Sequence, residues 1–296
     1  MQHRAGFVAV VGRPNVGKST LVNKIVGRKV SIVTDKPQTT RHRILAVHNL
    51  PAVQIIFVDT PGLHRRAGKA MNRLMNRTAA NALADADLVL FLTDAQRFTD
   101  EDSDVLQRLQ SIATAKVALL NKIDRVRPKE RLLELIAAMS ERADFAEIVP
   151  ISAMKGDNLD TLIELIPAYL PESPPLFPAD MRSDRSAEFQ AAEIVREKLM
   201  LYLHQEVPYG LTVQIERYED GDEQLLIDAI IWVERDSQKG IVVGKGGKVL
   251  KTVGQSARLE LSQLLERRVH LELWVKVKDN WSDSEQDLQA LGYESP

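Results

Sequence analysis

In the first half of the chain, short runs of apolar residues alternate with longer segments in which apolar residues recur at helical spacing. An apolar run without polar interruptions predicts a strand that is buried on both faces of a sheet. Such runs lie at residues 7–11, 88–94, 116–120 and 147–151. Helical spacing is found at residues 20–26, 71–83, 102–112, 128–139 and 159–165. Strands that alternate with helices predict an α/β domain built on a doubly wound, mostly parallel sheet.

A Pro-rich stretch at residues 171–178 has no periodicity, and it predicts a stiff linker at a domain boundary. Beyond it the pattern changes. Residues 186–203 have helical spacing, residues 211–218 and 269–277 alternate between apolar and polar positions, and residues 225–233 form an apolar strand. This order predicts a smaller α+β domain. The predicted division is a first domain at residues 1–172, a linker at 173–185 and a second domain at 186–296.

Composition limits the classes of function. A net charge of -2 gives no overall sign of a nucleic-acid binder, so any basic surface must be local. The chain has no cysteine, which excludes disulfides, zinc ribbons and thiol nucleophiles and suits a reducing cytosol. We expect no signal peptide, because the first strand follows the N-terminus almost directly. No apolar run approaches the ~20 residues of a membrane span, so we expect any membrane contact to be peripheral.

Residues 12–19 read G-x-x-x-x-G-K-S between a predicted strand and a predicted helix, which is the context of a phosphate-binding loop. Gly12 and Gly17 allow close approaches that a Cβ would block, so loop amides can point at phosphate oxygens. Lys18 can reach the β- and γ-phosphates, and the Ser19 hydroxyl can hold Mg²⁺. The spacing and the Lys-Ser pair favour this function over a simple glycine turn. The predicted nucleotide-binding residues here are Gly12, Arg13, Pro14, Asn15, Val16, Gly17, Lys18, Ser19 and Thr20.

A predicted hairpin of residues 43–48 and 53–58 ends in the sequence D-T-P-G. Behind a phosphate loop, an acidic residue that closes a neighbouring strand is the expected partner of the metal. The same four residues are also typical of an ordinary turn, but the phosphate loop favours the metal site. The residues predicted to contribute are Asp59, Thr60, Pro61 and Gly62.

Two further motifs, N-K-x-D and S-A-M, follow the last two predicted strands of the first domain. The Asp124 carboxylate can accept from both N1–H and the 2-amino group of guanine, whereas adenine would leave it unpaired and be rejected. Asn121 can donate to the base and tie loops together, the Lys122 stem can cover the base, and the Ala153 amide can meet the guanine carbonyl. The predicted base-binding residues are Asn121, Lys122, Asp124, Ser152, Ala153 and Met154.

With these motifs in order, residues 7–170 resemble a small GTPase domain of the translation-factor-related type. The resemblance implies that a threonine closes over Mg²⁺ in the triphosphate state. Thr40 is favoured because it directly precedes Arg41, and Thr39 stays open as the alternative. The resemblance implies Lys18, Thr40 and Gly62 at the reacting phosphate and Ser19, Thr40 and Asp59 at the metal.

The chain departs from the Ras-like pattern at position 63, where Leu63 replaces the glutamine that orients water. Hydrolysis must therefore use other groups, a partner or a second ion. Asn15 is the position at which similar bacterial GTPases hold a potassium ion beside the phosphates. An Asn15 that only caps the loop is the alternative.

In the second domain, residues 244–247 read G-K-G-G. A helix, two strands, two short helices joined by G-x-x-G and a final strand resemble a type II KH domain, in which this loop clamps a nucleotide backbone. We expect the second helix at residues 252–265 and an apolar floor for bases at 241–243. A purely structural turn is the alternative, and the paired arginines at 267–268 are as consistent with a solvated corner as with RNA contact. The predicted RNA-binding residues are Ile241, Val243, Gly244, Lys245, Gly246, Gly247, Lys248 and Lys251.

A GTPase domain joined through a Pro-rich linker to a KH domain resembles the Era family of bacterial ribosome-assembly GTPases over nearly the whole chain. The resemblance implies Mg²⁺-dependent GTP hydrolysis, binding near the 3′ end of small-subunit ribosomal RNA, action on the 30S subunit and loose contact with the inner face of the membrane. A cytoplasmic monomer is expected. Two alternatives stay open: a nucleotide-gated RNA chaperone with negligible turnover, and a membrane-linked signalling GTPase.

Overall fold

A computed structural model describes residues 3–62, 68–205 and 207–293 of the chain. Within these residues, the first domain contains a six-stranded sheet with helices on both faces. The strands are β1 (Arg4–Val11), β2 (Ile44–Leu50), β3 (Val53–Asp59), β4 (Leu88–Asp94), β5 (Lys116–Asn121) and β6 (Glu147–Pro150). The helices are α1 (Lys18–Val26), α2 (Ala70–Ala84), α3 (Asp100–Gln110), α4 (Arg131–Ser140) and α5 (Leu159–Leu165).

The order of this sheet is β2-β3-β1-β4-β5-β6, and in the described residues only the β2–β3 pair is antiparallel. The predicted α/β class with a mostly parallel sheet is confirmed. β1 shows why its residues are apolar throughout. Val8 and Val10 belong to the core on one face, whereas Ala9 and Val11 belong to the core on the other. Because parallel strands end at one edge, the motifs that follow β1, β3, β5 and β6 meet there.

Pairing and capping move several predicted boundaries by a few residues. β1 starts at Arg4 rather than at residue 7, because Arg4 already pairs with Val53 of β3. α3 starts at residue 100 rather than 102, because Thr99 forms a capping box with Asp102. Long-range pairing and cap geometry decide such ends, and a periodic pattern does not contain them.

The Pro-rich stretch lies along the first domain instead of extending into solvent. Gln54 of β3 donates to the Phe177 carbonyl at 2.8 Å and accepts from the Leu176 and Phe177 amides at 2.7 and 2.9 Å. Further along, the Val47 amide of the edge strand β2 donates to the Arg182 carbonyl at 3.0 Å. These bonds hold the segment in one position beside the sheet. The exact domain boundaries remain a prediction.

The second domain has a three-stranded sheet, in the order β7-β8-β9, within the part of the chain that is described. β7 and β8 are antiparallel, and β8 and β9 are parallel. Apolar residues of α6 and α8 pack on one face of the sheet to form the core. The elements are α6 (Ala187–Tyr202), β7 (Leu211–Asp220), β8 (Leu225–Val233), α7 (Asp236–Val243), α8 (Lys248–Leu264), β9 (Val269–Val277) and α9 (Glu285–Ala290).

The prediction for α8 was wrong in start and length. The helix begins at Lys248, not at residue 252, and it has 17 residues. Gly247 precedes it with a φ of 75°, a left-handed conformation that lets the chain enter the helix directly from the G-x-x-G loop. Lys248 and Lys251 therefore lie in the first turns of α8.

The C-terminal segment packs onto the first domain. Trp281, Leu288 and Tyr293 form a buried cluster with Met71 and Met75 of α2. The helical spacing at residues 71–83 predicts an apolar face, and both methionines are buried. It did not predict that their partners come from the opposite end of the chain.

Candidate functional site

Neighbouring chain segments pack closely against the phosphate loop at both of its motif glycines. A Cβ at Gly12 would lie 2.3 Å from the Leu92 carbonyl oxygen, and a Cβ at Gly17 would lie 2.4 Å from Asn121 Nδ2. Both glycines also have positive φ, 155° and 106°. Contact with β4 and β5 therefore requires glycine at these two positions, independently of any ligand.

Lys18 is placed with its ammonium group inside the loop. Nζ donates to the carbonyls of Gly12 and Arg13, both at 3.0 Å. Burial lowers the pKa of Lys18 to about 8, and Asp59 only partly opposes this. Lys18 is therefore mostly charged at neutral pH, and phosphate oxygens in the loop would stabilise that charged form further.

Three groups fit a divalent cation: Ser19 at the start of α1, Thr40 in the loop before β2, and Asp59 at the end of β3. The Ser19 and Thr40 hydroxyl oxygens are 2.9 Å apart. Asp59 is completely buried, and neither carboxylate oxygen forms a hydrogen bond within the described residues. Burial raises the pKa of Asp59, although the nearby hydroxyls of Ser19 and Ser31 and the Lys18 ammonium oppose the shift. An unpaired buried carboxylate is costly, and an oxygen-ligated ion such as Mg²⁺ would supply the missing partner.

The structure separates the two candidate threonines. Thr40 faces Ser19, whereas the Thr39 hydroxyl donates to the Lys36 carbonyl at 2.7 Å and lies 2.6 Å from the Thr34 hydroxyl. These contacts engage the Thr39 side chain within its own loop. The geometry therefore favours Thr40 as the metal ligand.

The turn after β3 packs tightly on the phosphate loop. The Thr60 hydroxyl donates to the Val10 carbonyl at 3.1 Å. A Cβ at Gly62 would lie 3.1 Å from Pro14, so the chain at Pro61 and Gly62 runs close beside the loop. Leu63, where a glutamine would stand in a Ras-like enzyme, lies outside the described residues.

Asn15 connects the phosphate loop to the loop between α1 and β2. Its amide nitrogen donates to the Asp35 carbonyl at 2.6 Å, and its own carbonyl accepts from Lys122 Nζ at 2.9 Å. Asn15 has a positive φ of 63°. It therefore does more than cap its own loop.

Asn121 links the phosphate loop to the loop after β6. Its amide nitrogen donates to the Val16 carbonyl at 2.7 Å, and its oxygen accepts from the Ala153 amide at 2.9 Å. The Ala153 amide is therefore engaged with Asn121, whereas the sequence motif predicts that it meets the guanine carbonyl. These two hydrogen bonds hold both loops in place around the predicted base pocket.

Asp124 presents an oriented carboxylate beside these loops. The Ser152 hydroxyl donates to Asp124 Oδ1 at 2.7 Å, and this bond is the main cause that lowers the pKa of Asp124. Asp124 is therefore ionised at neutral pH and can act as a pure acceptor. A cavity of about 320 Å³ is lined by the phosphate loop, the loop between α1 and β2, Lys122 and Met154.

Two acidic residues that the sequence motifs do not indicate hold the site together. Asp94, at the end of β4, pairs with Lys122 Nζ at 2.8 Å. Asp102 is fully buried and pairs with Arg13 Nε at 2.9 Å. The position of Asp94 at a strand end was a usable signal, but nothing near Asp102 in the sequence indicates its partner.

The G-x-x-G loop of the second domain is exposed and strongly turned. Gly244 has a φ of 73°, and a Cβ there would lie 2.4 Å from the Val249 side chain. Gly246 and Gly247 also have positive φ but face open space. The three lysines at the loop and the start of α8 are exposed, which places positive charge beside accessible backbone. They are Lys245, Lys248 and Lys251.

The apolar floor predicted at residues 241–243 needs one correction. Ile241 is half exposed and Val243 is partly buried, but Val242 is completely buried in the domain core. On a helix, neighbouring residues point in different directions, so three successive residues cannot share one surface. Ile241 and Val243 remain candidates for contact with bases.

Two family descriptions match separate parts of the chain. Residues 7–122 match "50S ribosome-binding GTPase", and residues 206–282 match "KH domain". The chain is 49% identical over 290 residues to GTPase Era of Pseudomonas aeruginosa (strain UCBPP-PA14), covering 98% of this chain and 95% of the relative. It is 49% identical over 294 residues to GTPase Era of Vibrio parahaemolyticus, covering 99% and 92%.

Two solved structures match almost the full length of the chain. Era in complex with MgGDPNP and nucleotides 1506–1542 of 16S ribosomal RNA gives a TM-score of 0.95 at 42% identity, covering 98% of this chain and 99% of that one. A variant of Aquifex aeolicus Era bound to GDP and AlF4⁻ gives a TM-score of 0.94 at 42% identity, with the same coverage. The similarity therefore includes both domains and their relative arrangement.

Proposed function

This chain belongs to the Era family of GTPases, and on that premise we propose that it couples GTP hydrolysis to assembly of the small ribosomal subunit. It is a GTPase whose KH domain binds RNA. The observation that carries the proposal is the buried Asp59 at the end of β3, whose carboxylate forms no hydrogen bond with the described residues and lies behind the Ser19 and Thr40 hydroxyls. A metal–nucleotide complex would give that buried carboxylate a charged partner.

The residues divide into phosphate, metal and base functions. Lys18 and the loop amides bind the phosphates, and Asp124 selects guanine. Ser19, Thr40 and Asp59 would hold Mg²⁺, which neutralises charge on the β- and γ-phosphates when bound. The protein positions the γ-phosphate for attack by water, so catalysis depends on position and charge without a covalent intermediate.

Support for the small subunit comes from the full-length relatives. The family description for residues 7–122 names the 50S subunit, but that match covers the GTPase half alone. The RNA in the Era complex is 16S ribosomal RNA, which belongs to the small subunit, and it was bound to a protein 42% identical to this one. We therefore place the RNA target near the 3′ end of that RNA. Crosslinking in cells, followed by sequencing of the attached RNA, tests this choice. A dominant large-subunit site would overturn it.

Turnover distinguishes the enzyme from a nucleotide-gated RNA chaperone. We expect single-turnover hydrolysis of GTP by the full chain and no hydrolysis by Lys18→Ala, which lacks the cation at the phosphates. Small ribosomal subunits should change the GTP hydrolysis rate of the wild-type protein, and they should leave Lys18→Ala inactive. GTP that stays intact with and without subunits would favour the chaperone.

Potassium is the cation that we propose for the phosphate loop. The amide nitrogen of Asn15 is bonded to the Asp35 carbonyl, and Asn15 Oδ1 makes no hydrogen bond with the described residues. That oxygen is the atom a potassium ion would use. Replacing potassium with sodium should slow GTP turnover by about a hundredfold, the lower end of the scale for removing one charge-stabilising group.

Two variants at Asn15 distinguish its role as a ligand of an ion from its role as a connection between two loops. Asn15→Ala should remove the difference between the two salts, whereas Asn15→Asp keeps the oxygen and should preserve it. Equal rates of the wild-type protein in potassium and sodium would eliminate the ion and leave Asn15 as a connector of loops.

We propose a cytoplasmic monomer with at most peripheral contact with the inner membrane face. None of the described helices has the length and apolar composition that crossing a membrane requires. Flotation with anionic vesicles, at low and high salt, tests the peripheral contact. Binding to vesicles that survives loss of RNA binding would support the signalling alternative.

A further inference from the structure

The loop between α1 and β2 (residues 27–43, hereafter the α1–β2 loop) carries Thr40 and is held by the second domain along much of its length. Lys29 pairs with Glu197 of α6 at 2.6 Å, and the Val33 amide donates to the other oxygen of Glu197 at 2.8 Å. Lys36 donates to the carbonyls of Met200 and Leu203 at the end of α6. The loop that must close over the nucleotide is therefore in contact with an RNA-binding domain.

Arg196 makes the contact nearest to the metal site. Its guanidinium donates to the Thr39 carbonyl. The same group forms a two-point pair with Glu193, with Nε at 2.7 Å from Oε1 and Nη2 at 2.6 Å from Oε2. Arg196 is 1% exposed, so water does not compete for these bonds. Glu193 thus fixes the orientation in which Arg196 meets Thr39.

The Thr39 carbonyl lies in the same peptide plane as the Thr40 amide. Because the peptide unit is rigid, holding that carbonyl also sets the direction in which the chain enters Thr40. On the other side, Arg41 donates to the carbonyls of Leu211 and Tyr209 at 2.7 and 3.0 Å. Thr40 therefore lies between two residues that are both anchored to the second domain.

We propose that the second domain completes the metal site of the first, with Arg196, oriented by Glu193, as the positioning residue for Thr40. The inference rests on the proposed role of Thr40 as a Mg²⁺ ligand. Arg196 does not touch the metal or the nucleotide. It acts through the Thr39 carbonyl, which keeps the Thr40 hydroxyl beside Ser19.

The planar guanidinium explains why the residue is arginine. One fork must bind both oxygens of Glu193 and still donate to a backbone carbonyl, which a single ammonium group cannot do in the same geometry. Burial alone would raise the pKa of Glu193, but Arg196 outweighs burial and holds that pKa below its ordinary value. Both partners are therefore charged, and each compensates the buried charge of the other.

The test is a Mg²⁺ titration of the full-length protein with a non-hydrolysable GTP analogue and, separately, with GDP. The variant is Glu193→Gln with Arg196→Met, which removes both charges and leaves no unpaired ion. The half-saturating Mg²⁺ concentration for the GTP analogue should rise by about tenfold or more, since misplacing a positioned group costs up to roughly a hundredfold. The GDP curve should shift less than about twofold, because Thr40 is expected at the metal only in the triphosphate state.

A matched control is Glu219→Gln with Arg217→Met. This exposed pair, 2.7 Å apart on β7, carries the same charges and is remote from the α1–β2 loop. It should behave as the wild-type protein in both titrations. Should the Glu193/Arg196 variant fail to fold, Arg196→Lys keeps the charge beside Glu193 but loses the fork, and it should shift the GTP-analogue curve in the same direction.

The variant Thr40→Ala distinguishes a failure of the proposed metal site from a failure of the proposed positioning role of Arg196. If Thr40→Ala leaves the Mg²⁺ requirement unchanged, the proposed metal site is wrong. If Thr40→Ala raises it but the Glu193/Arg196 variant does not, the metal site stands and the positioning role is overturned. Equal losses with the GTP analogue and with GDP would also overturn that role, since they would show a general loss of structure.

Discussion

Asp124→Asn should change the base preference of the nucleotide site from guanine to xanthine. The Asp124 carboxylate would accept two hydrogens from guanine, whereas an amide would present a donor where guanine also donates. Xanthine carries a 2-oxo group, which can accept from that amide. Sites built on such hydrogen bonds discriminate strongly, so GTP affinity should fall by about a hundredfold or more, and xanthosine triphosphate affinity should rise. Equilibrium titration with both nucleotides measures the change.

The surroundings of Asp124 make this substitution informative. Ser152 donates to Oδ1, and asparagine can keep an oxygen at that position, so the loop should retain its shape. Asp160→Asn, an exposed change at the start of α5, is a control with the same change in charge. GTP affinity that is the same in Asp124→Asn and in wild type would remove Asp124 from the base pocket.

Lys245→Asp with Gly246→Asp should abolish most RNA binding and leave the nucleotide site intact. Both residues are exposed in the G-x-x-G loop, where the backbone must come close to phosphates. Two carboxylates there replace attraction by repulsion. We expect affinity for a short single-stranded RNA to fall by at least about a hundredfold. The slope of log affinity against log salt should flatten by roughly 0.7 for each RNA phosphate that the loop no longer neutralises.

The fold should survive these changes, because a Cβ at Gly246 meets open space and aspartate tolerates the left-handed conformation better than most residues. Gln107→Asp with Arg108→Asp, exposed on α3, changes the net charge equally and should not affect RNA binding. GTP affinity should stay near wild type in both variants. A folded loop variant with full RNA affinity and an unchanged salt slope would contradict the RNA-binding role of this loop.

Much of the fold could be predicted because its elements are specified by residues that are close together in the sequence. β4 lies at residues 88–94 as its apolar run predicts, and α5 at 159–165 as its spacing predicts. The nucleotide motifs follow strands, so the parallel sheet brings Asp59 and Asn121 to the edge that carries the phosphate loop. Spacing alone was enough to place these residues together.

The errors arose where a local pattern had more than one structural solution. Three apolar residues before the G-x-x-G loop suggested one surface, but the helix turns Val242 into the core. Glycines suggested a break before residue 252, but Gly247 starts α8 directly. Thr39 and Thr40 are neighbours with the same side chain, and here the preference for Thr40, based on its position before Arg41, agrees with the hydrogen bonds.

The sequence by itself determined the two domain types, the order of the nucleotide motifs and the position of the G-x-x-G loop. These features depend on periodicity and on residue types at short spacing, which neighbouring residues encode. The tertiary structure alone decided that Arg196 meets the Thr39 carbonyl, that Arg41 is held by the chain before β7, and that Trp281 and Tyr293 cover α2. Those contacts join residues that are far apart in the chain, and no local pattern specifies which distant surface a buried charge or ring will meet. The physical coupling between the domains is therefore a property of the folded chain.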